Sequence, residues 1–142
     1  MPTQTANLPK PTGGESPSMS SVRKQLLDSF KAGREYRSAF VEEKVRTSLA
    51  VQIKAIREQR GWTQPDLARE LRKSQSWVSR LEDPNQTSPT IPSLLRVAEA
   101  FGVDLEIRFG RFSELLDRLG AMTPVSFEVP SFEEELKNGA FE

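Results

Sequence analysis

Between residues 49 and 101, apolar side chains recur at intervals of three and four, and short polar breaks cut the run into separate pieces. Leu49, Ile53 and Ile56 share one face of a predicted helix over 49–59, which Gly61 ends. Leu67, Ala68 and Leu71 define a second helix, opening at Gln64, and Val78 and Leu81 a third, over 75–82. Between these two lies only Arg72-Lys73-Ser74, too short for anything but a tight turn, so the helices must cross steeply. The small Ala68 lies where they would pass closest. A fourth face, Leu94, Leu95, Val97, Ala98 and Phe101, closes the core over Ile53, Ile56, Leu67, Leu71, Val78 and Leu81, and Gly102 ends it.

The caps agree with this division. Thr63 precedes Gln64, with Asp66 three residues on as an approximate capping box and Pro65 harmless in the first turn. Ser74 caps the third helix, and Thr90, followed by Pro92, caps the fourth. Trp62 stands before a cap with Leu67 at the staple position, which assigns it to packing rather than base stacking. The Pro-, Asn- and Ser-rich run 83–89 reads as a loop.

The flanks are less regular. Residues 1–20 hold four of the ten prolines and read as a disordered tail; as a DNA-reaching arm it would carry a single basic residue, Lys10. A helical extension over 21–47 follows. It has a short helix at 21–30, capped by Ser21 and carrying Val22, Leu26, Leu27 and Phe30, then an interruption at Gly33. A second helix at 34–46 carries Tyr36, Phe40, Val41 and Val45, and is either packed on the core or used for dimerisation. Thr47-Ser48 is a weak break before the central domain, 48–109. Residues 103–109 alternate with period two, a strand signal, and a lone strand needs a partner. That partner is either the same strand of a second subunit or the run 125–129. Within 110–142 a short helix is expected at 113–119, and the end, 131–142, is either a solvated acidic tail or a segment that docks on a partner protein.

Composition changes this picture in two ways. The formal net charge of the 142 residues is zero, but its distribution is not even. From 54 to 80 seven basic residues stand against three acidic, and from 128 to the end five Glu stand against one Lys. A neutral total hides a basic middle and an acidic end. Second, the chain has no Cys and no His. That excludes disulfides and Cys/His metal sites and removes the commonest catalytic bases and nucleophiles. With scattered acids and no glycine-rich phosphate loop, neither enzymatic activity, a cofactor nor a metal is expected. No apolar run reaches the length of a membrane span and the N-terminus lacks a signal-peptide core, so a cytoplasmic protein is expected.

Residues 64–82, QPDLARELRKSQSWVSRLE, resemble the helix-turn-helix of the phage repressor/Cro (Xre-like) family of DNA-binding regulators. Gln64 opens the first helix, Ala68 is the small crossing residue, Gln75 opens the second helix, Val78 is its buried apolar residue and 79–82 close it. Arg72 stands where the family usually has Gly. The resemblance, covering about 49–109, implies a mainly α, lambda-repressor-like five-helix DNA-binding domain with an N-terminal helical extension and a small β or irregular C-terminal segment. It implies sequence-specific binding of double-stranded DNA with the helix at 75–82 in the major groove. Gln75 would read adenine, Ser76 and Ser79 would be weak readers, and Arg80 would contact guanine or, from its late position, a phosphate. Gln64, Arg72, Lys73 and Ser74 would meet the DNA backbone, with Arg57 a further electrostatic contributor. A homodimer is expected. Two alternatives remain: an antitoxin-type repressor that also binds a toxin-like partner through its C-terminal segment, and a protein-interaction module that binds no DNA.

Overall fold

A computed structural model describes residues 18–119 and 127–142. Among them the chain is mainly helical: α1 (Met19–Ala32), α2 (Arg34–Gln59), α3 (Gln64–Leu71), α4 (Gln75–Leu81), α5 (Ile91–Phe101), α6 (Phe112–Arg118) and α7 (Phe132–Lys137).

The axis of the molecule is α2, and it is longer than its pattern predicted. The two helices expected at 34–46 and 49–59 are one helix of 26 residues, about 39 Å long. Thr47-Ser48 does not break it. No Gly or Pro interrupts 34–59, and the Ser48 hydroxyl donates back to the Val45 carbonyl at 3.2 Å within the helix instead of capping a new one. This single helix serves two separate cores. Its C-terminal part puts Ile53 and Ile56 into the main cluster with Leu67, Ala68, Leu71, Val78, Leu81, Leu94, Val97 and Phe101. Its N-terminal part lays Phe40 against a smaller cluster of Phe30, Leu115 and Leu116, contributed by α1 and α6. The 3.6-residue repeat that signals each half says nothing about whether the halves are joined.

The expected caps are in place. Thr63 Oγ1 accepts from the Asp66 amide and the Asp66 carboxylate accepts from the Thr63 amide at 2.7 Å, closing the capping box of α3. Ser74 Oγ accepts from the Trp77 amide at 3.1 Å, and Thr90 Oγ1 from the Ser93 amide at 3.2 Å. The first helix starts at Met19 with Ser18 as its cap, three residues before the expected cap, Ser21.

Three expectations differ from the structure. The segment 48–109 contains four helical elements among the described residues, where the resemblance implied five: the next helix, α6, packs on α1 in the smaller cluster. Residues 103–109 form neither helix nor ladder among the described residues, so this part is irregular rather than β. The acidic end is not a plain solvated tail. Ser131 and Glu134 form a second capping box that starts α7, and the Phe132 amide donates to the Gly102 carbonyl at 2.9 Å. The disordered-tail expectation for 1–17 and the strand expectation for 125–126 fall outside the described residues.

The α3 cap makes a pH prediction. The Thr63 backbone amide, then the Thr63 hydroxyl and finally Arg69, hold the Asp66 carboxyl below its ordinary value. A depressed folded-state pKa gives stability that is present above the unfolded value, about 3.9, and is lost as pH falls through the folded one. Acid titration followed by circular dichroism should therefore show the stability advantage of wild type over Asp66→Ala at neutral pH shrinking in that acid window. An advantage unchanged through the window would contradict the capping role.

Candidate nucleic-acid interface

The site rests on a buried ion pair. Arg57, in the last turn of α2, donates through Nε and Nη2 to the two carboxylate oxygens of Glu82 at 2.7 and 2.9 Å. Its third nitrogen, Nη1, donates to the Trp62 carbonyl at 2.8 Å. The Glu82 side chain is 3% exposed, and Gln64 Nε2 reaches its Oε1 at 3.4 Å. The hydrogen bond to Glu82 raises the Arg57 pKa, against the opposing effect of burial. Four points of the chain are thereby tied together: the end of α2, the Trp62 link, the start of α3 and the end of α4. Two sequence expectations change accordingly. Arg57 is buried and its charge is matched within the fold, so it is not a free contributor to a surface field. Gln64 is half-buried and its amide is turned toward Glu82.

The turn carries the departure from the expected glycine. Arg72 has φ 54 and ψ 45, the only positive φ at a non-glycine residue among those described. The left-handed region costs a Cβ-bearing residue roughly 1 kcal/mol. The closure compensates in part: the Lys73 amide donates to the Ala68 carbonyl at 2.9 Å and the Arg72 amide to the Arg69 carbonyl at 3.2 Å. Lys73 Nζ sits 5.4 Å from the centroid of the Trp77 ring, which is half-buried against the main core. Trp62 packs as expected, with its ring 5.9 Å from that of Phe101.

Burying Val78 and Leu81 sets which side of α4 faces inward. Gln75, Ser76, Ser79 and Arg80 are left exposed, and Arg72, Lys73 and Ser74 are exposed immediately before them. All seven thus belong to one turn and one short helix. Gln64 is held apart from them in the ion-pair network.

The basic balance of the middle of the chain is only partly available at the surface. Arg57 is matched by Glu82, and Arg69 is paired with Asp66. Arg60 donates to the Val129 and Phe101 carbonyls at 2.9 and 3.0 Å. Lys54, Arg72, Lys73 and Arg80 remain exposed and make no salt bridge among the described residues.

The loop expected at 83–89 supplies much of the far wall of the site, though sequence reasoning singled out none of its residues. Arg80 shares an open cleft of about 300 Å³ with Trp77, Gln86, Thr87, Ser88, Thr90 and Ser93. Thr87 is buried and its hydroxyl has no partner among the described residues. The signal that was available is the hydroxyl-rich run TSPT at 87–90 leading straight into a helix N-terminus. Among the described residues no group of three or more acidic side chains is placed to hold a metal ion, and no helix is long and apolar enough to cross a membrane.

Residues 48–108, less than half the chain, match the family model described as a helix-turn-helix domain. Neither the curated proteins nor the solved structures gave a match. The central segment is therefore a helix-turn-helix domain in which α3 and α4 are the two crossing helices.

The ion pair can be tested by a double-mutant cycle. Removing one partner leaves an uncompensated buried charge, at a cost of about 3–5 kcal/mol. Glu82→Leu should lower the unfolding free energy by about that amount, and Arg57→Met added to it should recover most of the loss. Additive losses in chemical denaturation would show that the two side chains do not act as a pair.

Proposed function

We propose that this chain is a sequence-specific double-stranded-DNA-binding regulator of transcription, of the repressor/Cro (Xre-like) type, with α4 in the major groove. The observation that carries this reading is the exposed set Gln75, Ser76, Ser79 and Arg80, on the side of α4 away from the buried Val78 and Leu81. The set includes one exposed cation, Arg80, and two more, Arg72 and Lys73, come just before it in the chain.

The mechanism follows from groove geometry. A helix fits the major groove, where each base pair presents a distinct pattern of donors and acceptors. Gln75, in the first turn of α4, donates to adenine N7 and accepts from adenine N6. Ser76 and Ser79 bond to either base type. Arg80, near the helix end, favours a phosphate. Arg72 and Lys73 hold the DNA backbone by charge, and Ser74, whose hydroxyl is occupied as a cap, presents its backbone to a phosphate. At Gln64 the side chain is turned to Glu82, so a phosphate there would be held by the backbone at the start of α3. A single unit of this kind reads few bases, so the working form is a homodimer on half-sites about one helical turn apart, acting in the cytoplasm where the DNA is.

A second reading, an antitoxin-type repressor with a protein partner, draws on the C-terminal segment. There α7 carries three consecutive Glu in its first turn and leaves Phe132, Leu136 and Phe141 more than half exposed. DNA binding by α4 is common to both readings.

Competition binding separates the assigned roles. Gln75→Ala should cost about 1–3 kcal/mol on the preferred duplex and relax the choice at one base position. Arg72→Gly should weaken binding to all duplexes alike and lower the salt slope by about one, without loss of fold stability, since glycine accepts the left-handed turn. Equal losses on preferred and scrambled duplexes for Gln75→Ala would defeat its assignment as a reader.

A further inference from the structure

Residues 103–109 form no helix, turn or ladder among the described residues, and as a strand their alternation would set Val103, Leu105, Ile107 and Phe109 on one face. The first two pack against the main core. The last two, on the same face, are 62% and 106% exposed, so the apolar face runs off the end of the core. The backbone is equally unfinished. The Val103 amide donates to the Ala98 carbonyl at 3.0 Å, but from 104 to 110 no backbone group makes a backbone hydrogen bond among the described residues. Such an edge invites another strand. The described part of the in-chain candidate is committed elsewhere. The Val129 amide donates to Gln59 Oε1 at 3.1 Å, the Val129 carbonyl accepts from Arg60 at 2.9 Å, and the Phe127 carbonyl accepts from Gln52 at 3.4 Å.

We propose that residues 103–109 pair antiparallel with the same residues of a second copy, about a two-fold axis at Glu106. In this register Val103 stands opposite Phe109, Leu105 opposite Ile107, and Asp104 opposite Arg108, each pair occurring twice. The exposed Ile107 and Phe109 of one copy come to lie beside the core-packed Leu105 and Val103 of the other, which continues each core across the axis. Asp104 and Arg108, both exposed, meet as opposite charges. Other registers fit less well. A shift of one residue in either direction sets three of the four apolar side chains against charged ones and the fourth against a glycine. A two-residue shift toward the N-terminus puts Asp104 against Glu106, and the opposite shift puts Val103 against Arg111. The like-charged pair left in the favoured register is Glu106 against itself on the axis.

The chain has no cysteine, so an introduced thiol is its only one. Across an antiparallel pair, facing Cα atoms lie roughly 4.5–5.5 Å apart, within disulfide range. Glu106→Cys should therefore oxidise to a cross-linked dimer on a non-reducing gel. Asp104→Cys, whose thiols would sit roughly 13 Å apart, should not. Wild type should sediment as a dimer without DNA. Asp104→Arg and Arg108→Asp should each raise the dimer dissociation constant about tenfold, and the two together should restore it, because the pairs are reversed. Circular dichroism checks that each exposed substitution leaves the helices intact. Any of four results overturns the pairing: a monomeric wild type, equal cross-linking at 104 and 106, cross-linking by Ile107→Cys in preference to Glu106→Cys, or a double variant no better than the singles. All of this is read without DNA. A monomer that still selects a DNA sequence defeats the pairing alone, and a dimer that selects none defeats the proposed function alone.

Discussion

The orientation of α4 depends on one interaction, the ion pair between Arg57 and Glu82. Hydrophobic packing of Val78 and Leu81 decides which side of the helix faces inward, but dispersion and burial are non-directional and would tolerate small rotations. A two-pronged guanidinium–carboxylate bond does not tolerate them, because both N–H directions are fixed. Replacing such a pair with apolar side chains of similar volume is often neutral for stability, so stability alone does not explain its presence. What the pair adds here is geometry. It joins the end of α4 to the long helix α2, and the third Arg57 nitrogen joins both to the chain entering α3.

The long helix transmits that constraint to the rest of the molecule. One end of α2 carries the ion pair and half of the main core; the other end carries Phe40 against the cluster built by α1 and α6. The C-terminal segment adds to the first end. Arg60, one residue beyond α2, donates to carbonyls from α5 and from residue 129, so α2, α5 and the chain leading to α7 meet at one guanidinium. Gly102 ends α5 with a φ of 66, a left-handed turn that favours glycine. An added Cβ would stand 3.3 Å from Glu133 Oε2, which a small shift of that flexible side chain relieves, and in ordinary contact, 3.5 Å, with Ser131 Cβ. The turn, more than the docking, needs the missing side chain.

Much of this was legible in the sequence, and the reasons differ from element to element. The crossing of α3 and α4 was legible because a three-residue turn, a small residue at the crossing and caps at Thr63 and Ser74 are all local signals. The exposure of Gln75, Ser76, Ser79 and Arg80 followed from the positions of Val78 and Leu81. Arg57 was misread because charge alone does not reveal a partner 25 residues away. The continuity of α2 was hidden by Thr47-Ser48, residues that cap a helix in one context and sit inside it in another. The alternation at 103–109 was real as a pattern, but a pattern cannot supply the second strand. The signal for α7 was present and passed over: Ser131 and Glu134 have the spacing of a capping box, and the acidic composition around them drew attention instead.

The claim on which the account turns is that the exposed face of α4 reads DNA sequence. Selection from random duplexes by the purified full chain, at low and at physiological salt, tests it most directly. An α4 face that reads sequence should give a recovered consensus containing two related half-sites about one helical turn apart and persisting at the higher salt. Recovery without a consensus, collapsing as salt rises, would reduce the face to a phosphate binder, and no recovery at either salt would contradict the claim outright.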